Sequence, residues 1–205
     1  MKRIFLIIAL LLLSGCSVVR IDTSNIDNIL KVILTKDNKL FNQVGEGYKY
    51  YLPGGVTYIN SDDLNDILYS NGVYYYLYID SVDYYYNKDT KYLENSNYFY
   101  SKLLSKKDGF KYSGYLQISE QGNKYLIEFL YNHAKIEALV DKNQINDTVL
   151  NSSYILSTIK YNYDITKLML EEDFFTNKTG KYNKYNIKED NKKFILEKDV
   201  SIEEG

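Results

Sequence analysis

The sequence predicts an α+β domain built on an antiparallel β-sheet. Three observations lead there. Several runs of four to eight residues are rich in Tyr, Val, Ile and Leu and are separated by short Gly- or Asn-containing turns, which is the pattern of hairpins and meanders. Two longer segments, one before these runs and one after, place apolar residues at helical spacing. Strands grouped between helices, rather than alternating with them, give an α+β arrangement instead of a parallel sheet. The predicted folded region is 24–172.

Ser24 to Thr35 reads as the first helix. Ser24 stands in the capping position with Asp27 three residues later, and Ile26, Ile29, Leu30, Ile33 and Leu34 fall on one face. Lys36 to Gly47 is polar and loop-like. Tyr48 to Leu52 reads as a strand that stops at Pro53, the chain's only proline, because a residue without an N–H cannot extend a central ladder. Gly54-Gly55 turns the chain into a second strand, Val56 to Ile59.

The best local signal is the hairpin from Asp66 to Ile79. Asn71-Gly72 supplies the two positive φ angles of a type I′ turn. In the strand that follows, Val73, Tyr75, Leu77 and Ile79 share one face, and Tyr74, Tyr76 and Tyr78 share the other. Both faces are apolar or aromatic, so this strand is predicted to be central, since an exposed edge of that composition would aggregate. Val82 to Tyr86 reads as a further short strand and Asn87 to Ser96 as a polar loop. Tyr98 to Leu104 is compatible with strand or helix. Lys106 to Gly109 is a turn. Tyr112–Ser119, Lys124–Tyr131 and Ala134–Val140 form a meander, turned at residues 120–123 and at Asn132-His133. A second helix is predicted from Asn143 or Asn146 to Lys160, with Ile145, Val149, Ser152, Leu156 and Ile159 on one stripe, Asp147 near its positive end and Lys160 near its negative end. Ile165 to Glu172 is a short amphipathic piece. From Asp173 onward the composition turns to Asn, Lys and acids, and a polar, poorly ordered tail is expected over 173–205.

The first residues have a different character. Lys2 and Arg3 precede an unbroken apolar run, Ile4 to Leu13, and Leu13-Ser14-Gly15-Cys16 ends it with small residues and the only cysteine of the chain. Ten apolar residues are half the roughly 20 that a helix needs to cross a bilayer, but they fit the apolar region of a signal peptide. The segment resembles the signal peptide and lipobox of bacterial lipoproteins. That resemblance implies cleavage between Gly15 and Cys16, a diacylglyceryl thioether on Cys16, and a lipid-anchored protein on the extracytoplasmic face of the cell membrane. Two acyl chains anchor stably where one does not. Residues 16–23 would then be the lipidated cysteine and a short tether, and the lipid bilayer would be the first partner.

Loss of residues 1–15 leaves 190 residues and takes the formal charge from −2 to −4, because Lys2 and Arg3 leave with them. That charge does not suggest a nucleic-acid surface. With its single cysteine expected to be acylated, the chain forms no internal disulfide, and the fold rests on its apolar core. Tyrosine stands out, with 24 residues against 8 Phe and no Trp. AT-rich codons account for much of this, alongside abundant Asn, Ile and Lys. The functional alternative is an aromatic platform, and Tyr74, Tyr76 and Tyr78 are the candidate binding surface.

No catalytic, metal or cofactor motif is present. His133 is expected to be an exposed turn residue, without the nucleophile and orienting partner that a catalytic histidine needs. Asp62, Asp63 and Asp66 do not fit the ligand spacing of a calcium loop and are expected to be turn and capping acids. Asp80 and Asp83, read as strand-end carboxylates beside tyrosines, are the pair to test for a glycan-cleaving enzyme. Three sequons, at Asn146, Asn151 and Asn177, are coincidental behind a bacterial lipobox. Tyr48-x-x-Tyr51-Leu52-Pro53-x-Gly55-Val56 and the closing hairpin with its helix are faintly similar to PsbP-type domains, which would imply an α-β-α sandwich that binds partner proteins. The favoured function is a non-enzymatic accessory or binding lipoprotein that meets a membrane-proximal protein. The alternatives are a cell-wall glycan enzyme and a carrier of an apolar ligand between helix and sheet.

Overall fold

A computed structural model describes residues 22–62 and 64–171. The lipobox with Gly15 and Cys16, residue 63, and the polar tail lie outside the described residues. The structure is α+β, with antiparallel sheets, a helix before them and helices after the last strands of the large sheet.

The first helix, α1, is Ile26–Leu34. Its cap is Asn25, not Ser24: the Asn28 N–H donates to Asn25 Oδ1. Ser24 instead donates through both its N–H and its hydroxyl to Asp22. A small sheet follows, from β1 (Gln43–Val44) and β2 (Tyr48–Tyr50), later joined by β10 (Lys160–Tyr161) in the order β1-β2-β10. The β2 strand is shorter than predicted because side chains take over its end. Asn42 exchanges two hydrogen bonds with the backbone of Leu52, and the Tyr51 N–H donates to Thr158 Oγ1. Val56 N–H donates to Pro53 O and closes the turn.

The large sheet contains β3 (Thr57–Asp62), β4 (Asn65–Ser70), β5 (Val73–Ile79), β6 (Tyr100–Leu104), β7 (Gly114–Gln121), β8 (Lys124–Tyr131) and β9 (Ala134–Val140). Its order is β3-β4-β5-β9-β8-β7-β6. Two meanders therefore meet where β5 pairs antiparallel with β9. The Asn71-Gly72 hairpin forms as predicted, with φ of 49° and 81°. Asn132 and His133 make the same kind of turn, with φ of 54° and 57°. At Gly114 a Cβ would lie 2.1 Å from Leu130 O, so only glycine lets β7 approach β8 there.

The predicted strand at 82–86 is instead a short helix, α2, Ser81–Tyr85. Asp80 makes the difference by accepting the Asp83 N–H at 2.7 Å as an N-cap. Within the ambiguous stretch 98–104, Tyr100–Leu104 is strand. The long helix α3 is Ile145–Thr158, preceded by a 3-10 turn in which Asp141 and Gln144 form a capping box. Its stripe of Ile145, Val149, Ser152, Leu156 and Ile159 is buried as expected. Lys160 lies beyond the helix, in β10, so it does not sit in the last turn. The last helix, α4, is Tyr163–Glu171.

The core lies between the sheet and the α1–α3 pair. Val73, Tyr75, Leu77 and Ile79 of β5 join Leu116, Ile118, Ile127, Phe129, Ile136 and Ala138 against Ile29, Leu30, Val149 and Leu156. Tyr131 pins α1 to the sheet: its hydroxyl donates to Leu34 O at 3.1 Å and accepts the Tyr112 N–H at 2.9 Å.

Candidate functional site

The period-2 alternation of β5 sends Tyr74, Tyr76 and Tyr78 to the sheet face opposite the helices. Across the strands, Tyr74 faces Tyr69, Tyr76 lies between Ile67 and Glu137, and Tyr78 lies between Asn65 and Lys135. Tyr69 and Tyr74 are in tilted ring contact at 5.1 Å. Tyr76 and Tyr78 are only 4% and 2% exposed, and pack with Ile67 and Leu126 in a second apolar cluster; Tyr74 is half-buried. A partner approaching this face meets Tyr74 before the other two rings.

Toward β9 and β8 the same face becomes polar. Lys135 Nζ and Glu137 Oε1 pair at 2.5 Å, each side chain about nine-tenths buried. The ammonium also lies 5.2 Å from the Tyr78 ring centroid, and the Tyr78 hydroxyl reaches Glu137 at 3.4 Å. Gln117 Nε2 donates to Glu128 at 2.8 Å, and Glu128 stands opposite Glu137 in the ladder. Tyr92, from the 87–99 loop, stacks on Tyr115 at 4.3 Å and hydrogen-bonds Ser101 and Gln117. Burial first, then Glu128 and Glu137, pushes the Tyr115 phenol up to about 12. These groups satisfy one another and fix the face; breaking a buried pair such as Lys135–Glu137 typically costs about 3–5 kcal/mol.

The acids weighed in the sequence are placed differently from one another. Asp66 is neither a turn nor a capping residue. It points inward from β4, 4% exposed, and accepts from the Tyr50 hydroxyl at 2.8 Å and the Tyr48 hydroxyl at 3.1 Å. Tyr48 and Tyr50 are stacked and buried on β2, so Asp66 ties the small sheet to the large one. Burial raises the Asp66 carboxyl above its ordinary value, against the opposing effect of hydrogen bonds from Tyr50, Ser61 and Tyr48. The signal was available: Asp66 shares the parity of Leu68, and its register partner is Leu77, so a strand with that alternation puts a carboxylate in the core.

Asp80 directly follows the end of β5, as expected, but Asp83 lies inside α2 and not at a strand end. They occupy one turn of helix, Asp80 as its cap and Asp83 in an ion pair with Lys88 at 2.8 Å. His133 is half-buried rather than exposed. Tyr84 meets its ring edge-on at 6.0 Å and Tyr161 at 6.5 Å, while Tyr84 and Tyr161 stack at 4.1 Å. Burial lowers the imidazole's proton affinity, against the pull of Asp83 and Asp80. The single Tyr161 hydroxyl proton is shared between His133 O at 2.7 Å and Asn132 O at 3.0 Å, which ties down the turn. Among the described residues no group of three or more His, Cys, Asp or Glu is placed to hold a metal ion, and no helix is long and apolar enough to cross a membrane.

A groove of about 540 Å³ opens where the start of α1, the start of α3 and β6 converge. Ile145 is buried in it, Tyr100 is half-buried, and Phe99 is an exposed aromatic wall. Comparison with protein-family models, curated proteins and solved structures finds no match for this chain.

Proposed function

We propose that the protein is a lipoprotein anchored through Cys16 to the extracytoplasmic face of the cell membrane, and that it works as a non-enzymatic binding or accessory module close to the bilayer. The observation that carries this reading is the order of charge, ten apolar residues, Leu13-Ser14-Gly15 and the chain's only cysteine. A thiol at that place is the acceptor that lipidation needs. The start of α1 supports the short reach. Ile26 is the tenth residue after Cys16, so an extended connection spans at most about 35 Å. A body held that close meets membrane proteins and membrane-adjacent polymers before anything else.

The test is mild crosslinking in intact cells followed by purification of the protein. The expected result is co-purification of a membrane protein with the full chain and its loss when residues 24–172 are deleted. Equal recovery with and without the folded region would overturn the binding role.

A further inference from the structure

We propose that the groove between the starts of α1 and α3 is a binding site for an oligosaccharide, either neutral or N-acetylated. At about 540 Å³ it lies inside the roughly 300–1,000 Å³ range of small-ligand sites. A pyranose ring offers an apolar C–H face and a rim of hydroxyl or acetamido groups. It is recognised by an aromatic surface against the face and by amides at the rim.

The groove supplies both. Phe99, 43% exposed, presents the aromatic surface, with half-buried Tyr100 and buried Ile145 beside it. Asn143 and Asn146 line the groove with amides that donate and accept, and Asn25 adds its NH2 donor, its Oδ1 already accepting the Asn28 N–H. The Phe99 ring leans edge-on against Tyr125 at 4.9 Å, and that contact limits the freedom it has left to lose on binding.

Charge narrows the ligand class. Asp27 is neutralised by Lys102 at 2.5 Å and accepts the Tyr100 hydroxyl at 2.8 Å, so the groove offers a cationic peptide no unpaired acid on that wall. The Asn143 and Asn146 amides disfavour an acyl chain, since each would lose water without gaining a partner. Lys142, 5.7 Å from the Phe99 centroid, is an exposed cation that can swing aside or donate to a sugar oxygen.

The site deepens the binding-module reading and rests on it for where the ligand is met. Asn25 is the ninth residue after Cys16, which keeps the groove within about 30 Å of the anchor along an extended chain. Both a wall glycan and a glycolipid headgroup are found at that height.

The experiment is saturation-transfer NMR on the full-length chain in detergent micelles, with chitotetraose and cellotetraose as soluble probes. A parallel arm adds diglucosyl-diacylglycerol to the micelles and reads saturation of its headgroup protons, with phosphatidylglycerol as the sugar-free control lipid. The expected result is saturation of ring or acetamido protons on the soluble sugars, or of the glycolipid headgroup. Phe99→Ala and the double variant Asn143→Ala/Asn146→Ala should each weaken it at least about tenfold, ~1.4 kcal/mol, with an unchanged circular dichroism spectrum. Binding to the soluble sugars alone identifies a wall-type glycan; binding to the glycolipid alone identifies a headgroup; either supports the site. No transfer at millimolar sugar together with no saturation of the glycolipid headgroup overturns the proposal, and so does binding that survives both variants. A protein crosslink that persists while sugar binding fails would sink this site and leave the accessory role standing.

Discussion

Asp66 gives the sharpest test of how the two sheets are joined. Replace it with leucine, and the Tyr48 and Tyr50 hydroxyls lose the carboxylate they share, at 3.1 and 2.8 Å, with both rings at most 4% exposed. A buried donor left without an acceptor costs about 1–3 kcal/mol. Two such donors, less the relief of no longer burying a charge, give an expected loss of about 2–4 kcal/mol for Asp66→Leu. Asp66→Asn keeps one acceptor oxygen and removes the charge, so it should stay within about 1 kcal/mol of the parent at pH 7. The pH dependence has a definite sign. Burial raises the folded-state carboxyl above its unfolded value, so the native state takes up the proton first as pH falls. The contribution of Asp66 to stability therefore rises as pH falls through its folded pKa, and is complete below the unfolded value. It is lost again as the pH climbs back to neutrality. The assay is guanidinium unfolding of full-length parent, Asp66→Leu and Asp66→Asn chains at pH 7.5 and 5, followed by far-ultraviolet circular dichroism. Relative to Asp66→Asn, the parent should gain stability on acidification. Equal midpoints for the leucine and asparagine variants, or a parent that loses ground to Asp66→Asn at pH 5, would mean that Asp66 is not the buried acceptor that joins the sheets.

Other perturbations address separate parts of the fold. Gly114→Ala places a Cβ 2.1 Å from Leu130 O and should lower stability by about 1–3 kcal/mol, read as a drop in melting temperature; an unchanged melt would mean that β7 and β8 are not so close. Tyr131→Phe removes the hydroxyl that bridges Leu34 O and the Tyr112 N–H, and should cost about 1–2 kcal/mol, whereas Tyr86→Phe on the surface should cost nothing measurable. His133 has a proton affinity lowered by burial, so its contribution is present above the unfolded pKa and lost as pH falls through the folded one. His133→Asn, which tolerates the positive φ, should remove that loss in acid, and a parent His133 that titrates by NMR at or above about 6.5 would contradict it.

What could be read in the sequence was local. Asn71-Gly72 specifies its turn through two positive φ angles, and the alternation in β5 and β8 assigns each residue to a face without knowledge of the rest. The α3 stripe follows from helical spacing alone. The misreadings come from competition or distance. At 82–86 the β-propensity of Val and Tyr lost to the cap from Asp80, a single side-chain hydrogen bond that outweighs propensity in so short a segment. The pairing of β5 with β9 joins residues more than fifty positions apart, which no local pattern encodes. The Asn132-His133 turn is legible in the sequence, but the half-buried state of His133 depends on Tyr84 and Tyr161, which arrive from α2 and β10. For Asp66 the parity of the strand already pointed inward; its acceptance by Tyr48 and Tyr50 did not, because β2 belongs to a different sheet.

The claim on which localisation, reach and partners all depend is that the Cys16 sulfur carries lipid. Growing cells on an alkyne-bearing palmitate analogue, with the parent and Cys16→Ser expressed side by side, tests it in one gel. The parent should take up label and pellet with membranes, and the serine variant should do neither. Equal labelling and equal pelleting of the two would contradict it.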